Sequence, residues 1–161
     1  SKLKKENQKW QEFDMNKALS YSLKNLDLKI KELNAKIEVD SLPTLMGDQF
    51  QFVQLFQNLI DNSLKYCKEK PEIKIKYQKT EKMHEFCVSD NGIGIDKSHT
   101  DRIFKIFQRL HTKHDFTGTG IGLAICKKII DLHKGEIWVE SEEGKGAEFC
   151  FTIPIHLDDS N

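Results

Sequence analysis

The chain has 161 residues, of which 31% are charged and 38% apolar, and its formal net charge at neutral pH is zero. This length suits one domain with its own core and is too short for two large ones. The balanced charge gives no electrostatic reason to expect binding to nucleic acid or to an anionic membrane. No apolar stretch approaches the ~18 residues of a membrane span, and no signal peptide opens the chain, so we expect a cytoplasmic domain.

The four cysteines, Cys67, Cys87, Cys126 and Cys150, show no C-x-x-C spacing. Four cysteines are compatible with two disulfides, but in this context we expect reduced, partly buried packing residues. The start at Ser1, without Met, indicates a fragment of a longer protein.

The first part of the chain predicts two helices around a short strand. Residues 1–12 are highly charged, which is typical of a linker or of the tail of a preceding helix. Apolar residues recur at helical spacing over 16–33 and predict one helix, followed by a strand at Lys36–Val39 and a turn at 41–43. Asp48, with Gln51 three positions later, fits a capping box and begins a second helix, which ends near Cys67, before a proline.

The second part of the chain reads as strands separated by a loop region and a third helix. Alternation predicts strands over 73–77 and 86–90, then a short amphipathic helix at 101–110 within a polar loop. A helix begins at the glycines of 118–122 and ends at Lys134, with Gly135 suited to its C-cap. Strands at 136–140 and 147–155 complete the chain around a hairpin turn. This order predicts an α+β fold, a two-layer sandwich with a mixed sheet and helices on one face.

Three polar residues of the second helix form a stripe. Asn58, Asn62 and Lys65 fall within roughly 60° of one another at helical spacing. The stripe is either a solvated face or a ligand site. Short amides are uncommon on a solvated face, whereas amide oxygens can bind Mg²⁺ and a lysine can bind phosphate.

Asp90 shares strand parity with Phe86 and Val88, so its carboxylate is expected on the buried face at the end of the strand. A buried carboxylate needs hydrogen-bond donors, from the backbone or from a ligand amino group. Gly92 and Gly94 allow the backbone to approach a flat ligand. The same Asp-Asn-Gly sequence also fits an ordinary turn, and both interpretations stay open.

The glycines of 118–122 open a helix, where free N–H groups and the helix dipole favour phosphate. The preceding residues are not a strand, which excludes a dinucleotide fingerprint, and the lysine of a Walker A loop is missing. The loop between the two glycine clusters carries an apolar helical face and several cations. These cations either bind phosphate as part of a mobile lid or remain solvated; they are Lys105, Arg109, His111, Lys113 and His114.

Together these motifs resemble the catalytic ATP-binding domain of two-component sensor histidine kinases, within the superfamily of gyrase, Hsp90 and MutL. Residues 58–66 resemble the N box, 90–94 the G1 box, 103–107 the F box and 118–123 the G2 box. The run 107–111 is also similar to phytochrome-type and PAS-linked kinases. The similarity extends over about residues 14–155, nearly the whole chain.

The resemblance implies a Bergerat fold, with about five strands, three main helices on one face and an ATP lid. It also implies three segments: the tail of a dimerisation and phospho-acceptor region or a linker at 1–13, the catalytic domain at 14–157, and a C-terminal tail at 158–161. The cofactors would be ATP and Mg²⁺.

The resemblance further implies roles for individual residues. Asp90 would bind the adenine amino group, Asn62 would ligate Mg²⁺, and Asn58 and Lys65 would take part in catalysis. Phe104 and Phe107 would anchor the lid. The full set of expected ATP-binding residues is Asn58, Asn62, Lys65, Tyr66, Asp90, Gly92, Gly94, Ile95, Phe107, Arg109, Lys113, Gly118, Thr119, Gly120, Ile121, Gly122 and Leu123.

One departure from the superfamily concerns the reaction. In its ATP-hydrolysing branches a glutamate that activates water stands four positions before the magnesium-binding asparagine, and here Asn58 stands there, an amide without useful basicity. This favours transfer of the phosphoryl group to an external nucleophile over an ATP hydrolase. A nucleotide-binding module without catalysis is a third hypothesis.

The phospho-acceptor histidine of such kinases lies on a separate helical hairpin. The only His-Glu pair here, His84-Glu85, falls inside a predicted strand, and we interpret His84 as a surface residue. We therefore expect the acceptor to lie outside this chain, on the helical domain of the same kinase, with a response regulator downstream. We expect a monomeric fragment of a homodimeric parent, which a membrane anchor could hold at the cytoplasmic side.

Overall fold

In the computed structural model of the chain, a mixed five-stranded sheet carries three main helices on one face. The model describes residues 10–67, 69–94, 119–141 and 144–155, with the backbone alone for 119–121. None of the helices in these ranges combines the length and the apolar composition needed to cross a bilayer. The elements are β1 Gln11–Asp14, α1 Met15–Asn25, α2 Asp27–Glu32, β2 Lys36–Val39, β3 Thr44–Gly47, α3 Gln49–Lys65, β4 Glu72–Lys79, β5 Met83–Asp90, α4 Thr119–Leu132, β6 Glu136–Ser141 and β7 Ala147–Pro154.

The five strands of the main sheet follow the order β2-β4-β5-β7-β6. Strand β2 runs parallel to β4, and the other neighbours are antiparallel. Strand β5 therefore lies in the middle, between β4 and β7. This arrangement confirms the predicted α+β sandwich with a mixed sheet.

The core lies between the helices and the inner face of the sheet. Phe52, Phe56 and Ile60 of α3 are fully buried, as their helical spacing predicted. The rings of Phe86 on β5 and Phe151 on β7 stack with centroids 4.9 Å apart, and Phe56 packs against Phe151 at 5.8 Å. Each such side chain contributes ~1.5–3 kcal/mol by leaving water, so these contacts hold α3 against the strands around Asp90.

The helix predicted over 16–33 is interrupted. Helix α1 ends at Leu26, whose φ of −102° and ψ of 8° lie outside the helical values, and α2 starts at Asp27. An aspartate in the first turn suits a new helix because it complements the helix dipole. The apolar face of the predicted helix is also not buried at its end, where Leu33 is 42% exposed. The prediction of a single continuous helix was wrong at this point.

Strands β1 and β3 form a separate antiparallel pair, in which Phe13 lies opposite Leu45. Both side chains are buried. The charged composition of residues 1–12 had favoured a linker or the tail of a helix for this stretch. Strand β2 is equally short but was predicted, because its sequence KIEV alternates; the sequence QEFD of β1 has one apolar residue and shows no alternation. The domain limits at 13 and 158 stay a prediction.

The N-terminus of α3 is capped, although not by the full capping box. The Asp48 carboxylate accepts the Phe50 N–H at 3.0 Å, as expected for an N-cap. The Asp48 N–H, however, donates to His133 Nε2 at 3.3 Å instead of to Gln51. The buried Gln51 Oε1 has no partner within the described ranges. The reciprocal half of the predicted box was therefore wrong, because a histidine 85 residues away takes its place.

His133 is fully buried and links three elements. Its Nδ1 donates to the Ile129 carbonyl at 2.8 Å, which leaves Nε2 to accept from Asp48, and its ring stacks on Trp10 at 4.7 Å. Burial lowers the pKa of His133 below its usual 6.5, although the bond to Ile129 and the Asp48 charge oppose this. A protonated ring could not accept the Asp48 N–H.

We expect the chain to lose stability as the pH falls below 6.5, the ordinary pKa of histidine. Below that pH His133 binds a proton in the unfolded state but stays neutral in the folded state. Unfolding is therefore favoured increasingly as the pH falls, until the pH reaches the lowered pKa that His133 has in the folded state. Urea unfolding at pH 7.5 and 5.5 will show a smaller pH-dependent loss in His133→Asn than in the wild type. Equal losses in both proteins would exclude His133 as the source.

The end of α4 differs from the expected glycine cap. Lys134, and not Gly135, adopts the left-handed conformation, with φ of 61°. The Gly135 N–H closes the helix by donating to Ile130 at 3.0 Å. A glycine is required at 135 for another reason, because a Cβ there would lie 1.7 Å from the Thr152 carbonyl oxygen.

The prediction that all four cysteines are reduced was wrong for two of them. Cys87 and Cys150 form a disulfide, whereas Cys67 and Cys126 are free. The bonded pair lies directly opposite in the register of β5 and β7. Spacing along the chain does not show which residues face each other across strands, so this pairing had no signal in the sequence.

The interpretation of His84 as a surface residue was also wrong. His84 is 7% exposed and lies on the core face of β5, with the same parity as Phe86 and Val88. The Tyr77 hydroxyl and His84 Nδ1 are hydrogen-bonded at 2.8 Å. Burial, followed by the charge of Lys79, lowers the pKa of His84. On this face of β5, His84, Phe86 and Val88 are buried, and Asp90 at the end of the strand is partly exposed.

Candidate nucleotide-binding site

The polar stripe of α3 faces the first turn of α4. Asn58 Nδ2 donates to the Gly122 carbonyl at 3.4 Å, and Asn62 is only 6% exposed. A solvated face therefore does not describe these two amides. Asn58 is partly buried, whereas 41% of the Lys65 side chain is exposed to solvent. The stripe thus lines the contact between the two helices at the end where α4 begins.

Lys65 already has an anionic partner. Its Nζ lies 3.8 Å from Asp61, which also pairs with Lys29 at 2.6 Å. Exposed pairs of this kind contribute little stability, because water screens them and the long side chains lose entropy. Lys65 can therefore exchange Asp61 for another anion at low cost.

Asp90 ends β5, and its carboxylate is held by the backbone. Its Oδ1 accepts the Gly92 N–H at 2.8 Å and the Ala147 N–H at 3.1 Å. Burial raises the pKa of Asp90 above its usual value, and the bonds from Gly92, Ser63 and Ala147 oppose the rise. The buried Ser63 hydroxyl lies close enough to the Asp90 carboxylate to lower its pKa. Asp90 is thus oriented before any ligand arrives.

The loop after Asp90 packs closely on the end of α3. The Ile93 N–H donates to the Tyr66 carbonyl at 3.0 Å. A Cβ on Gly92 would lie 2.7 Å from that same carbonyl oxygen, and Gly94 has φ of 77°. The Asp-Asn-Gly sequence is therefore a turn, and it is also fixed against the helix that carries the polar stripe.

Asn91 is a residue of this region to which the sequence assigned no role. Its Oδ1 accepts the Glu72 N–H at 2.9 Å and the Cys67 S–H at 3.3 Å, while its Nδ2 donates to the Lys70 carbonyl at 3.2 Å. One amide thus joins the turn after β5 to the connection between α3 and β4. Burial and the Asp90 charge raise the pKa of Cys67 to about 11, so its thiol stays protonated and able to donate.

We expect Asn91→Ala to weaken ATP binding by roughly tenfold and to lower the free energy of unfolding by about 1–2 kcal/mol. The variant leaves the Glu72 N–H and the Lys70 carbonyl without their partner, so the turn that orients Asp90 loosens. Calorimetric titration and urea unfolding measure the two effects. A matched control is Asn25→Ala, because Asn25 donates to Gln57 in a solvent-exposed contact between α1 and α3. Wild-type affinity in Asn91→Ala would refute the positioning role.

A second glycine also shapes the site beside Asp90. Gly146 has φ of 92°, and a Cβ there would lie 2.1 Å from the Asp90 carbonyl oxygen. The Gly144 N–H donates to the Ile93 carbonyl at 2.7 Å. The sequence predicted only a hairpin turn here. The Gly-x-Gly spacing was the available signal for this close approach, which brings the β6–β7 turn against the loop after Asp90.

The second glycine cluster opens α4, which begins at Thr119. The first N–H groups of a helix lack partners within it, so this turn can bind an anion. Leu123 is buried at 3% exposure, and Gly122 contacts Asn58. For Thr119, Gly120 and Ile121 only the helical backbone is described. Several predicted site residues lie outside the described ranges: Ile95, Phe104, Phe107, Arg109, Lys113 and Gly118.

Helix α3 therefore contacts both glycine motifs. Asn58 touches the start of α4, and Tyr66 holds the loop after Asp90. The site therefore has the half-buried Asp90 carboxylate at one end and the N-terminus of α4 at the other. The predicted residues that the structure describes come together around the C-terminal half of α3, while their individual roles remain predictions.

Known proteins are similar to this chain in sequence and in fold. The model of the histidine kinase-, DNA gyrase B- and HSP90-like ATPase family matches residues 47–157. The phytochrome-like protein Cph1 of Synechocystis sp. is 52% identical over 143 residues, which cover 88% of this chain and 19% of that protein. The chain thus spans about a fifth of the length of this relative.

Solved structures give the same result. The catalytic domain of histidine kinase ThkA superposes with a TM-score of 0.78 at 30% identity, covering 91% of this chain and 98% of that one. A complex of ThkA with the response regulator protein TrrA gives 0.76 at 27% identity, covering 94% of this chain and 43% of the ThkA chain. The chain has the fold of histidine kinase catalytic domains and belongs to the family of histidine kinase-, DNA gyrase B- and HSP90-like ATPases.

Proposed function

We propose that this domain binds Mg-ATP and transfers the γ-phosphoryl group to a histidine on a separate helical-hairpin domain. The observation that carries the proposal is the placement of α3, which links the Asp90 turn to the first turn of α4 through Tyr66 and Asn58. A purine at one end and phosphates at the other suit this arrangement. The family and the relatives named above support it.

Asp90 is the residue proposed to recognise adenine. Both backbone bonds end on its Oδ1, so Oδ2 is the atom to which the adenine amino group would donate. Gly92 and Gly94 leave room beside the carboxylate for a flat ring. Protonation of Asp90 would remove this acceptor, so ATP affinity is expected to fall in acid.

The phosphates would lie at the first turn of α4, where backbone N–H groups and the helix dipole attract anions. Lys65 would exchange Asp61 for a phosphate oxygen, since the exposed pair costs little to open. The lid residues Arg109 and Lys113 are proposed as further phosphate ligands.

The residues present fit Mg²⁺ only together with a nucleotide. Asn62 offers a neutral amide oxygen, and the nearby carboxylate of Asp61 is paired with Lys29 and Lys65. The anionic ligands that Mg²⁺ requires would therefore come from the phosphates. Bound there, Mg²⁺ would neutralise charge on the phosphoryl oxygens. Asn62→Ala should weaken Mg-ATP binding in a calorimetric titration, while Mg²⁺ alone shows no heat with either protein.

Transfer is favoured over hydrolysis because Asn58 cannot act as a base toward water. Its amide instead donates to the Gly122 carbonyl and holds the two helices together. Sustained phosphate release by the chain would support an ATP hydrolase instead.

The test of transfer mixes the chain with radiolabelled ATP and the matching helical-hairpin domain that carries the acceptor histidine. We expect an acid-labile, base-stable phosphate on that histidine. Absence of label under conditions where ATP binds would reject the kinase and leave a nucleotide-binding module. A hairpin domain lacking the histidine serves as the control.

The partners follow from this reaction. A response regulator is proposed as the receiver downstream, in line with the ThkA–TrrA complex. The dimeric parent and the cytoplasmic location, where ATP is available, are part of the same proposal.

A further inference from the structure

The outer face of the sheet carries a disulfide next to the proposed adenine site. Cys87 of β5 and Cys150 of β7 are paired directly across the strands, with Cα atoms 4.1 Å apart. Their exposures are 8% and 2%. Lys76 and Trp138 are the register partners of the two cysteines on β4 and β6. Registered neighbours share a face, so the bond lies in a row that crosses four strands.

The other two cysteines are poor competitors for thiol chemistry. Cys126 is fully buried, and burial raises the pKa of its thiol to about 12. Burial raises the pKa of Cys67 to about 11. Because the thiolate is the reactive form, these residues exchange slowly with external disulfides. What distinguishes Cys87 and Cys150 is geometry, because the register of β5 and β7 places these two cysteines directly opposite each other.

We propose that Cys87 and Cys150 form a reversible thiol–disulfide site whose oxidised form locks β5 to β7 beside Asp90. In the reduced chain, the Cys87 thiolate attacks a sulfur of a small disulfide such as oxidised glutathione, and one glutathione thiolate leaves. The Cys150 thiolate then attacks Cys87 Sγ of the mixed disulfide and releases the second glutathione. Two electrons pass from the cysteines to the small disulfide, and both cysteine protons go to solvent or to the leaving thiolates.

The bond is close to the carboxylate that the site depends on. Ser89 and Glu148 are the next registered pair on that face after Cys87 and Cys150. Directly beyond them, the Ala147 N–H donates to Asp90 Oδ1. A covalent link three residues from both Ala147 and Asp90 limits opening of the β7 end, because β7 cannot separate from β5 there without breaking it. The consequence for ATP affinity rests on the proposed function, whereas the consequence for the Ala147 amide does not.

The experiment equilibrates the full chain in glutathione buffers of different redox ratio, without nucleotide. A chelator is present because the ligand atoms of Cys87, Glu148 and Cys150 lie within 4.8 Å of one another. Alkylation after unfolding should add four labels to the reduced chain, one per cysteine. It should add two to the oxidised chain, in which only Cys67 and Cys126 are free. Hydrogen exchange of the Ala147 amide, followed by NMR, should be roughly tenfold slower in the oxidised chain.

Three variants make the outcome specific. In Cys150→Ser, and equally in Cys87→Ala, Ala147 exchange should match the reduced wild type at every redox ratio. Cys126→Ser should keep the wild-type response. Four labels at every ratio, or equal Ala147 exchange in both states, would overturn the proposal. ATP affinity is measured last, so that a chain that fails to bind ATP counts against the proposed function and leaves the labelling and exchange results standing.

Discussion

Replacing Asp90 with asparagine will abolish ATP binding while leaving the fold intact. Asparagine keeps an oxygen that can accept the Gly92 and Ala147 N–H groups, so the turn stays in place. The other carboxylate oxygen is replaced by an NH₂ group. This group and the adenine amino group are both hydrogen-bond donors, so no bond forms between them. We expect at least a ~100-fold loss of affinity in calorimetric titration, from one lost charged hydrogen bond and one unpaired donor.

The control for this variant is Asp131→Asn. Asp131 is 54% exposed and pairs with Lys127 near the C-terminal end of α4. The Asp131→Asn substitution therefore removes the same charge outside the site. Urea unfolding should show Asp90→Asn to be at least as stable as the wild type, because a half-buried charge is removed. Unchanged affinity in Asp90→Asn would refute the proposed orientation of the adenine.

Gly135→Ala will destabilise the chain by at least ~3 kcal/mol, a large part of the 5–15 kcal/mol typical of a domain. The added methyl group would lie 1.7 Å from the Thr152 carbonyl oxygen, so backbone must move against backbone. Thr152 pairs with Glu136 across β6 and β7, and the Glu136 N–H also donates to its hydroxyl. The midpoint of urea unfolding measures the loss.

The matched comparison is Gly144→Ala. Gly144 has φ of 83° but nothing within 4 Å of an added Cβ, so only conformational strain is introduced. That strain costs about 1 kcal/mol. If Gly135→Ala proves no worse than Gly144→Ala, close packing is not what requires glycine at 135.

Much of the fold could be predicted because its signals are periodic. Phe52, Phe56 and Ile60 repeat at helical spacing, and Phe86 and Val88 alternate, so α3 and β5 were placed correctly. The same alternation assigns His84 to the core, but the polar character of histidine outweighed it. Strand β1 was missed because its sequence QEFD contains one apolar residue, whereas β2, of the same length, alternates as KIEV and was predicted.

The site was predicted in its parts but not in its connections. Asp90 and Asn58 were singled out from parity and from the amide stripe, and the structure brings both to the C-terminal half of α3. Contacts between residues far apart in the chain left no pattern to read. His133 accepts from Asp48 across 85 residues, and Ala147 donates to Asp90 across 57. Such partners are decided by how the helices pack and by the order of the strands, neither of which is encoded in local sequence.

The strand order has a consequence for how the site matures during synthesis. Strand β5 lies in the middle of the chain, whereas its neighbour β7 is the last element that the structure describes. The ribosome therefore synthesises β7 well after β5. Until β7 pairs, Asp90 lacks the Ala147 N–H, and the inner face of β5 lacks Phe151. A nascent chain that ends before residue 147 therefore holds an incomplete form of the proposed adenine site, however well its first helices have formed. Nucleotide binding should appear on the ribosome only after residue 154 has emerged, as the final step of folding.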